Sequence, residues 1–110
     1  MLNLNQDGFQ KEVLDHKGVV VVDFYADWCG PCRMLSPMIE EMDKTNKDKN
    51  VKFVKVNVDA NQGLAGLFGV MSIPTVIIFK DGKIFTQQIG VAPKNFYEEA
   101  IKKAVTAKSS

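Results

Sequence analysis

Hydrophobic residues follow two different spacings along this chain, and the spacings predict strands that alternate with helices. A continuous apolar run rich in β-branched residues, as at 19–26 and 76–79, is typical of a strand, and so is an alternation of apolar and polar residues, as at 51–58. Further strands are expected at 2–5, as a short edge strand, and at 84–89, after the Asp81-Gly82 turn. Apolar residues placed three and four positions apart are typical of helices. This spacing occurs at 6–16, at 31–47, at 60–69 and after Pro93.

The resulting order, β-α-β-α-β-α-β-β-α, predicts an α/β fold built on one sheet. The βαβ units at the start require parallel strands, whereas Asp81-Gly82 predicts a tight hairpin between the last two strands. We therefore expect a central mixed sheet of five strands with four helices covering its two faces. The last residues, Ser109 and Ser110, are expected to fray.

Three helices carry apolar residues that we expect to face the core. In helix 31–47 these are Met34, Leu35, Met38, Ile39 and Met42. In helix 60–69 they are Leu64, Leu67 and Phe68. In the last helix they are Phe96, Tyr97, Ala100, Ile101, Ala104 and Val105.

Composition and charge narrow the class of protein. With 110 residues, 45% of them hydrophobic, the chain suits one compact domain spanning 1–110, and we expect a monomer. The net charge of +1, with both signs interspersed, indicates neither a nucleic acid nor a membrane partner. Residues 1–5 lack the basic and apolar segments of a secretory signal, which favours the cytoplasm. An exported protein whose signal had been removed would begin similarly.

Both cysteines of the chain lie together, where the strand 19–26 leads into the helix 31–47. A helix N-terminus presents unpaired N–H groups and a partial positive charge, which stabilise a thiolate, the nucleophile of disulfide exchange. Cys29 precedes Pro31, a residue suited to the first helical position, and Gly30 leaves the backbone beside the sulfur uncrowded. Cys32 lies deeper in the first turn. We therefore expect Cys29 to attack and Cys32 to resolve the mixed disulfide.

Three other interpretations of the cysteine pair are weaker. A structural disulfide closing so short a loop stabilises by roughly 2 kcal/mol, against about 4.7 kcal/mol for a hundred-residue loop. A structural zinc site normally needs four ligands, whereas the chain offers two cysteines and one histidine, His16. A coincidental pair of buried thiols explains neither the spacing nor the neighbours.

Three further residues stand out near the predicted strands. Asp23 interrupts the apolar run six residues before Cys29, where burial would raise its pKa and make it a proton acceptor for a thiol. The alternative is an aspartate that is solvated or bonded locally at the strand end. Lys55 lies either at an exposed edge or within reach of Asp23, which it would then tune. Pro74 directly precedes an apolar strand, where a cis peptide would suit a tight entry.

Taken together, the motifs resemble the thioredoxin family over essentially the whole chain. The segments VDFYADWCGPCRMLSP, VKVNVDAN, SIPTVIIFKDG and IGVAPK occur in that family's order and spacing. The Trp-Cys-Gly-Pro-Cys centre differs from the centres of disulfide isomerases and bacterial disulfide oxidases. The resemblance implies a thioredoxin fold and a protein-disulfide reductase that cycles between dithiol and disulfide.

The resemblance also implies roles for single residues. Cys29 matches the nucleophile and Cys32 the resolving cysteine. Asp23 matches the buried aspartate that assists deprotonation of the resolving thiol through water, and Lys55 matches the lysine beside it. Pro74 matches the cis-proline that faces the disulfide and helps to dock the substrate backbone.

An apolar docking surface around the sulfur is implied as well. Its members would be Trp28, Gly30, Pro31, Ile73 and Gly90. Two departures from the family pattern lie near it and bear on partner preference. Tyr25 stands where many bacterial members have a second tryptophan, and Met71-Ser72 replaces a commoner Arg-Gly.

For cofactors and partners, the resemblance implies that the chain itself binds no cofactor. Electrons would come from NADPH through thioredoxin reductase. The expected substrates are disulfide-containing proteins such as ribonucleotide reductase, methionine sulfoxide reductase and peroxiredoxins. Two alternatives stay open: a thiol oxidase or isomerase on the same fold, which differs in redox potential, and a binding or scaffold subunit whose cysteines are dispensable.

Overall fold

The structure, a computed structural model, describes residues 1–108 and has the predicted order of elements. The strands are β1 (Leu2–Asn3), β2 (Val19–Tyr25), β3 (Val51–Asn57), β4 (Thr75–Lys80) and β5 (Lys83–Ile89). The helices are α1 (Gln6–Phe9), α2 (Gly30–Thr45), α3 (Gln62–Leu67) and α4 (Lys94–Thr106). The predicted α/β fold with a five-stranded mixed sheet and four helices is confirmed. The expected fraying of Ser109 and Ser110 lies outside the described residues.

The sheet places β2 at its centre, in the order β1-β3-β2-β4-β5. β3 pairs parallel with both β1 and β2, whereas β2–β4 and β4–β5 are antiparallel. Asp81 and Gly82, with φ of 50° and 80°, form the left-handed turn between β4 and β5. A side chain at Gly82 would clash with the carbonyl oxygen of Leu14, so the predicted hairpin also needs glycine for space.

Two hydrophobic clusters cover the two faces of the sheet, and β2 contributes to both. Val19 and Val21 pack with residues of α2 and α4, whereas Val20 and Val22 pack with residues of α1 and α3. Side chains alternate along a strand, so Asp23 shares the face of Val19 and Val21. The carboxylate therefore points toward the side of the sheet that α2 covers.

The apolar stripes are narrower than the sequence predicts. Met34 is 74% exposed and Leu67 is 70% exposed, while Phe96 and Val105 are partly exposed, at 41% and 38%. In α2, Met34 lies about 100° around the helix from Leu35, which is at the centre of the buried stripe. A helix that packs on a sheet along one side buries the middle of its stripe and leaves such flanking positions open.

The first helix also differs from its predicted form. The spacing predicts one helix over residues 6–16. In the structure the α-helix α1 ends at Phe9, and Gln10–Leu14 form a π-helix directly after it. Phe9 and Val13 are buried, so this segment contributes to the core despite the change in helix type.

Within residues 1–108, no helix combines the length and apolar character needed to cross a membrane.

Candidate active site

The two cysteines lie where the loop after β2 enters α2. Cys29 is the N-cap residue of α2, and the backbone N–H of Cys32 donates a 3.2 Å hydrogen bond to its Sγ. Pro31 occupies the first turn, where its missing N–H costs nothing. Cys29 and Cys32 are joined by a disulfide, with their Cα atoms 5.2 Å apart. The chain thus holds a sulfur at a helix N-terminus, where negative charge is favoured.

Both cysteines of the disulfide are buried against apolar residues. Cys29 is 4% exposed and Cys32 is 2% exposed, and both pack with Ala26, Val58 and Ile73. The order agrees with the expectation that Cys32 lies deeper, although the two values differ little. The space next to the disulfide is open at Gly30, because no heavy atom lies within 4 Å of where its Cβ would be.

The segment that leads into β4 approaches the disulfide through the carbonyl group of Ile73. The Ile73–Pro74 peptide bond is cis, and the Ile73 carbonyl oxygen is 3.9 Å from Cys29 Sγ. The backbone N–H of Gly90 donates a 2.8 Å hydrogen bond to the carbonyl of Pro74. Gly90 has a φ of 83°, a conformation that favours glycine. The structure therefore brings Cys29, Ile73, Pro74 and Gly90 together.

Trp28 forms the exposed flank of the same region. Its side chain is 66% exposed, yet its Nε1–H donates a 2.7 Å hydrogen bond to Asp59 Oδ2. Met71, on the segment that leads to Pro74, is also almost fully exposed. Large apolar side chains held in solvent around a reactive centre are typical of a surface that binds partners.

Asp23 is fully buried on β2 and faces α2. Its Oδ2 accepts a 2.7 Å hydrogen bond from Ser36 Oγ, whereas Oδ1 has no hydrogen-bond partner among residues 1–108. Burial is the main cause that raises its pKa, to about 6, and it outweighs the opposing effects of the Ser36 hydrogen bond and the Lys55 charge. The carboxyl group can therefore gain or lose a proton near neutral pH.

Lys55 lies beside Asp23 in the sheet but makes its ion pair elsewhere. The two residues are directly paired in the parallel register of β2 and β3. The Lys55 Nζ is 3.9 Å from Glu40 Oε1 and 5.4 Å from the centre of the Tyr25 ring. Its positive charge lowers the Asp23 pKa through space, while Glu40 raises it. The predicted proximity is present, without a direct salt bridge between these two described residues.

Three residues of this region are absent from the sequence-based prediction: Ser36, Glu40 and Asp59. Ser36 follows Cys32 by one helical turn, so its position on the face of Cys32 is a usable signal. Glu40 follows Ser36 by another turn and carries the same signal. Asp59 gives no such signal, because its contact with Trp28 depends on how two loops meet.

Cys32 and Ser36 both line a surface pocket of about 310 Å³. Its other lining residues include Tyr25, Pro37, Glu40 and Lys55. Within the described part of the chain, no group of three or more His, Cys, Asp or Glu residues is arranged to hold a metal ion. The chemistry that these groups offer is thiol–disulfide exchange, with a buried carboxyl group that can accept a proton.

Comparison with known proteins points to one family. The thioredoxin family model matches residues 1–103. Thioredoxin from Bacillus subtilis (strain 168) is 48% identical over 87 residues, covering 79% of this chain and 83% of that protein. Thioredoxin from Rickettsia felis is 43% identical over 103 residues, covering 94% and 97%. A solved mutant thioredoxin from Halobacterium salinarum NRC-1 has a TM-score of 0.86 at 31% identity, covering 98% and 93%.

Proposed function

The chain belongs to the thioredoxin family and is a thiol-disulfide oxidoreductase that reduces protein disulfides, and on that basis we propose Cys29 as its nucleophile and Cys32 as its resolving thiol. The observation that carries this assignment is the N-cap position of Cys29, whose Sγ accepts the backbone N–H of Cys32. This donor and the helix N-terminus stabilise a thiolate on Cys29.

The reaction proceeds in two exchanges of sulfur partners. The Cys29 thiolate attacks one sulfur of the substrate disulfide, forms a mixed disulfide and releases the other substrate sulfur as a thiolate. Cys32 then loses its proton to Asp23 and attacks Cys29 Sγ. The bond between Cys29 and the substrate breaks, and the second substrate thiolate leaves. The substrate gains two electrons, and the protein is left with the Cys29–Cys32 disulfide.

Asp23 is suited to accept the Cys32 proton because burial raises its pKa to about 6. An exposed aspartate, with its ordinary value of 3.8, would be a weaker base toward a thiol. Lys55 tunes this acceptor by its charge rather than by a direct bond. The resolving step thus uses a carboxyl group whose proton affinity is set by burial and by neighbours on α2 and β3.

The docking surface for the substrate consists of Trp28, Gly30, Pro31, Ile73 and Gly90, and the cis-proline Pro74 supports it from beneath as a buried residue. Trp28 supplies apolar area, Gly30 leaves room above the sulfur, and the Gly90–Pro74 hydrogen bond holds two loops at one level. A substrate segment that lies across these residues brings its disulfide to Cys29. Tyr25 and Met71-Ser72 flank this surface and influence which partners fit.

The partners follow from the family. A thioredoxin reductase that uses NADPH re-reduces the disulfide, and the protein substrates include ribonucleotide reductase, methionine sulfoxide reductase and peroxiredoxins. The protein works as a monomer in the cytoplasm, with residues 1–110 forming one domain. These proposals rest on membership of the family, whose model matches residues 1–103.

Trapping of the mixed disulfide tests the roles of the two cysteines. Reduced Cys32→Ser, mixed with a disulfide-bonded protein, is expected to accumulate a covalent adduct on a non-reducing gel. Cys29→Ser is expected to form none, and the double serine variant is the matched control. Adduct formation by Cys29→Ser alone would reverse the assignment. If the double variant, which cannot turn over a disulfide, still bound its partner and supported the partner's activity as well as the parent does, a scaffold role would be favoured instead.

A further inference from the structure

Ser36 connects the buried carboxylate to the helix that carries Cys32. It lies four residues after Cys32 in α2, and side chains at this spacing share one face of a helix. Both residues line the same pocket. Ser36 Oγ donates a 2.7 Å hydrogen bond to Asp23 Oδ2. Through this hydroxyl, the helix that carries the resolving cysteine is hydrogen-bonded to the proposed proton acceptor.

Several elements packed around Asp23 bring a charged or titratable group near it, whereas β4 places Val76 opposite it. β3 brings Lys55 and α2 brings Glu40, while α4 brings Tyr97, whose own pKa is raised by burial and by the Asp23 charge. Among the side chains of residues 1–108, Ser36 is the one that donates a hydrogen bond to the carboxylate. Lys55 and Glu40 act on it through space.

We propose that Ser36 is a positioning residue for the resolving step, because its hydroxyl fixes Asp23 Oδ2 and favours the ionised form that accepts the proton of Cys32. The inference rests on the proposed roles of Cys32 and Asp23. It adds no reactant: the proton passes from Cys32 Sγ to Asp23, and Cys32 Sγ bonds to Cys29 Sγ as the bond to the substrate breaks.

Loss of the hydroxyl would act on one step of the cycle. A hydrogen bond donated to a carboxylate stabilises its charged form, and the Ser36 bond indeed lowers the Asp23 pKa against the effect of burial. In Ser36→Ala the carboxyl group would keep its proton to higher pH, so fewer molecules could accept the Cys32 proton at neutral pH. Attack by Cys29 does not involve Asp23 and should be unchanged.

The first measurement follows the Asp23 carboxyl group directly. Its titration is recorded by ¹³C NMR in the oxidised protein, where the cysteines do not titrate. Ser36→Ala should move the midpoint upward by about one pH unit, since a hydrogen bond to a charged group typically changes a pKa by about that much. Ser36→Thr keeps the hydroxyl and should restore most of the original midpoint. An unchanged midpoint in Ser36→Ala would overturn the proposal.

The second measurement follows the resolving step itself. Rapid mixing of reduced protein with a disulfide substrate gives the decay of the mixed disulfide as a function of pH. The pH profile of Ser36→Ala should shift upward by the same amount as the titration. In an Asp23→Asn background, Ser36→Ala should have no further effect, and a further slowing there would contradict the inference.

The two experiments together separate this inference from the proposed function. If the Ser36→Ala titration is unchanged while Asp23→Asn still slows resolution, the role of Ser36 fails and that of Asp23 stands. If Asp23→Asn leaves the resolving rate unaltered, Asp23 is not the acceptor, and the proposed route of the proton fails together with the role of Ser36.

Discussion

The indole nitrogen of Trp28 donates a 2.7 Å hydrogen bond to the carboxylate of Asp59, although both side chains are exposed to solvent. Asp59 is held in turn, because its backbone N–H donates to Asn57 Oδ1 at 2.9 Å. A large apolar ring next to Cys29 is thus fixed by the turn after β3. This contact preorganises one side of the proposed docking surface before any substrate arrives.

Substitution of Asp59 should weaken docking and leave the chemistry intact. In Asp59→Ala the Trp28 ring is free to adopt other rotamers, so KM for a disulfide protein should rise several-fold while kcat changes little. Asp59→Asn keeps an acceptor oxygen and should behave nearly like the parent. Both variants should react with dithiothreitol at the parent rate. A fall in that rate would show that Asp59 acts on the thiols and not on docking.

Asp23 should make the protein less stable at neutral pH than an uncharged residue would. Its folded pKa of about 6 lies above the ordinary 3.8, so the folded state binds the proton more tightly and stability falls as pH rises between these values. The difference corresponds to about 3 kcal/mol at most. Asp23→Asn should therefore raise the free energy of unfolding at pH 8 and have little effect at pH 3.5.

Urea denaturation at the two pH values measures this difference. Asn can still accept the hydrogen bond from Ser36, so the comparison isolates the charge. Asp27→Asn, at an exposed position in the loop that follows β2, is the matched control and should show no such gain at pH 8. A stabilisation by Asp23→Asn that is equal at both pH values would contradict the raised pKa.

Lys55 and Glu40 should move the Asp23 titration in opposite directions. The Lys55 charge lowers the Asp23 pKa and the Glu40 charge raises it. Lys55→Met should therefore shift the ¹³C midpoint of Asp23 upward, and Glu40→Gln should shift it downward, each by less than Ser36→Ala. Because Lys55 and Glu40 form an ion pair with each other, the double variant should lie between the two single ones. Shifts of the same sign would be inconsistent with action through charge.

The sequence predicts the reactive centre well because its geometry is local. A strand that ends at Tyr25, two cysteines and a proline in the first turn fix Cys29 at the N-cap through contacts within a few residues. The sequence leaves two environments open for Asp23, buried or solvated at the strand end, and the structure shows the buried one. The parallel pairing of β2 with β3 follows from the helix between them, and the antiparallel pairing of β4 with β5 follows from the Asp81-Gly82 turn.

What could not be predicted depends on how separate elements meet. The partner of Lys55 is Glu40 rather than Asp23, because the side chain extends across the sheet toward α2. The width of the buried stripe on α2 could not be predicted either, because the spacing of apolar residues does not say how much of the helix surface the sheet covers. Met34 is apolar and yet faces solvent for this reason.

Alanine substitutions on neighbouring residues of α2 test that width. Leu35 is fully buried and Met34 is exposed. Leu35→Ala should lower the free energy of unfolding by about 2–5 kcal/mol, because it removes buried methyl groups and leaves a cavity. Met34→Ala should change it by about 0.5 kcal/mol or less. Urea unfolding followed by circular dichroism gives both values, and a comparable loss in both variants would mean that the stripe is wider than the structure shows.

The reduction potential of the Cys29–Cys32 pair tests the central claim, that this chain is a reductant of protein disulfides. The protein is equilibrated with thiol buffers of defined potential, and the oxidised fraction is followed by the fluorescence of Trp28. A potential of about −270 mV is the value known for thioredoxin as a family, and membership of that family leads us to expect a similar one for this chain. A value near about −120 mV would mean that the pair is an oxidant, and would contradict both the proposed direction of electron flow and the cytoplasmic setting.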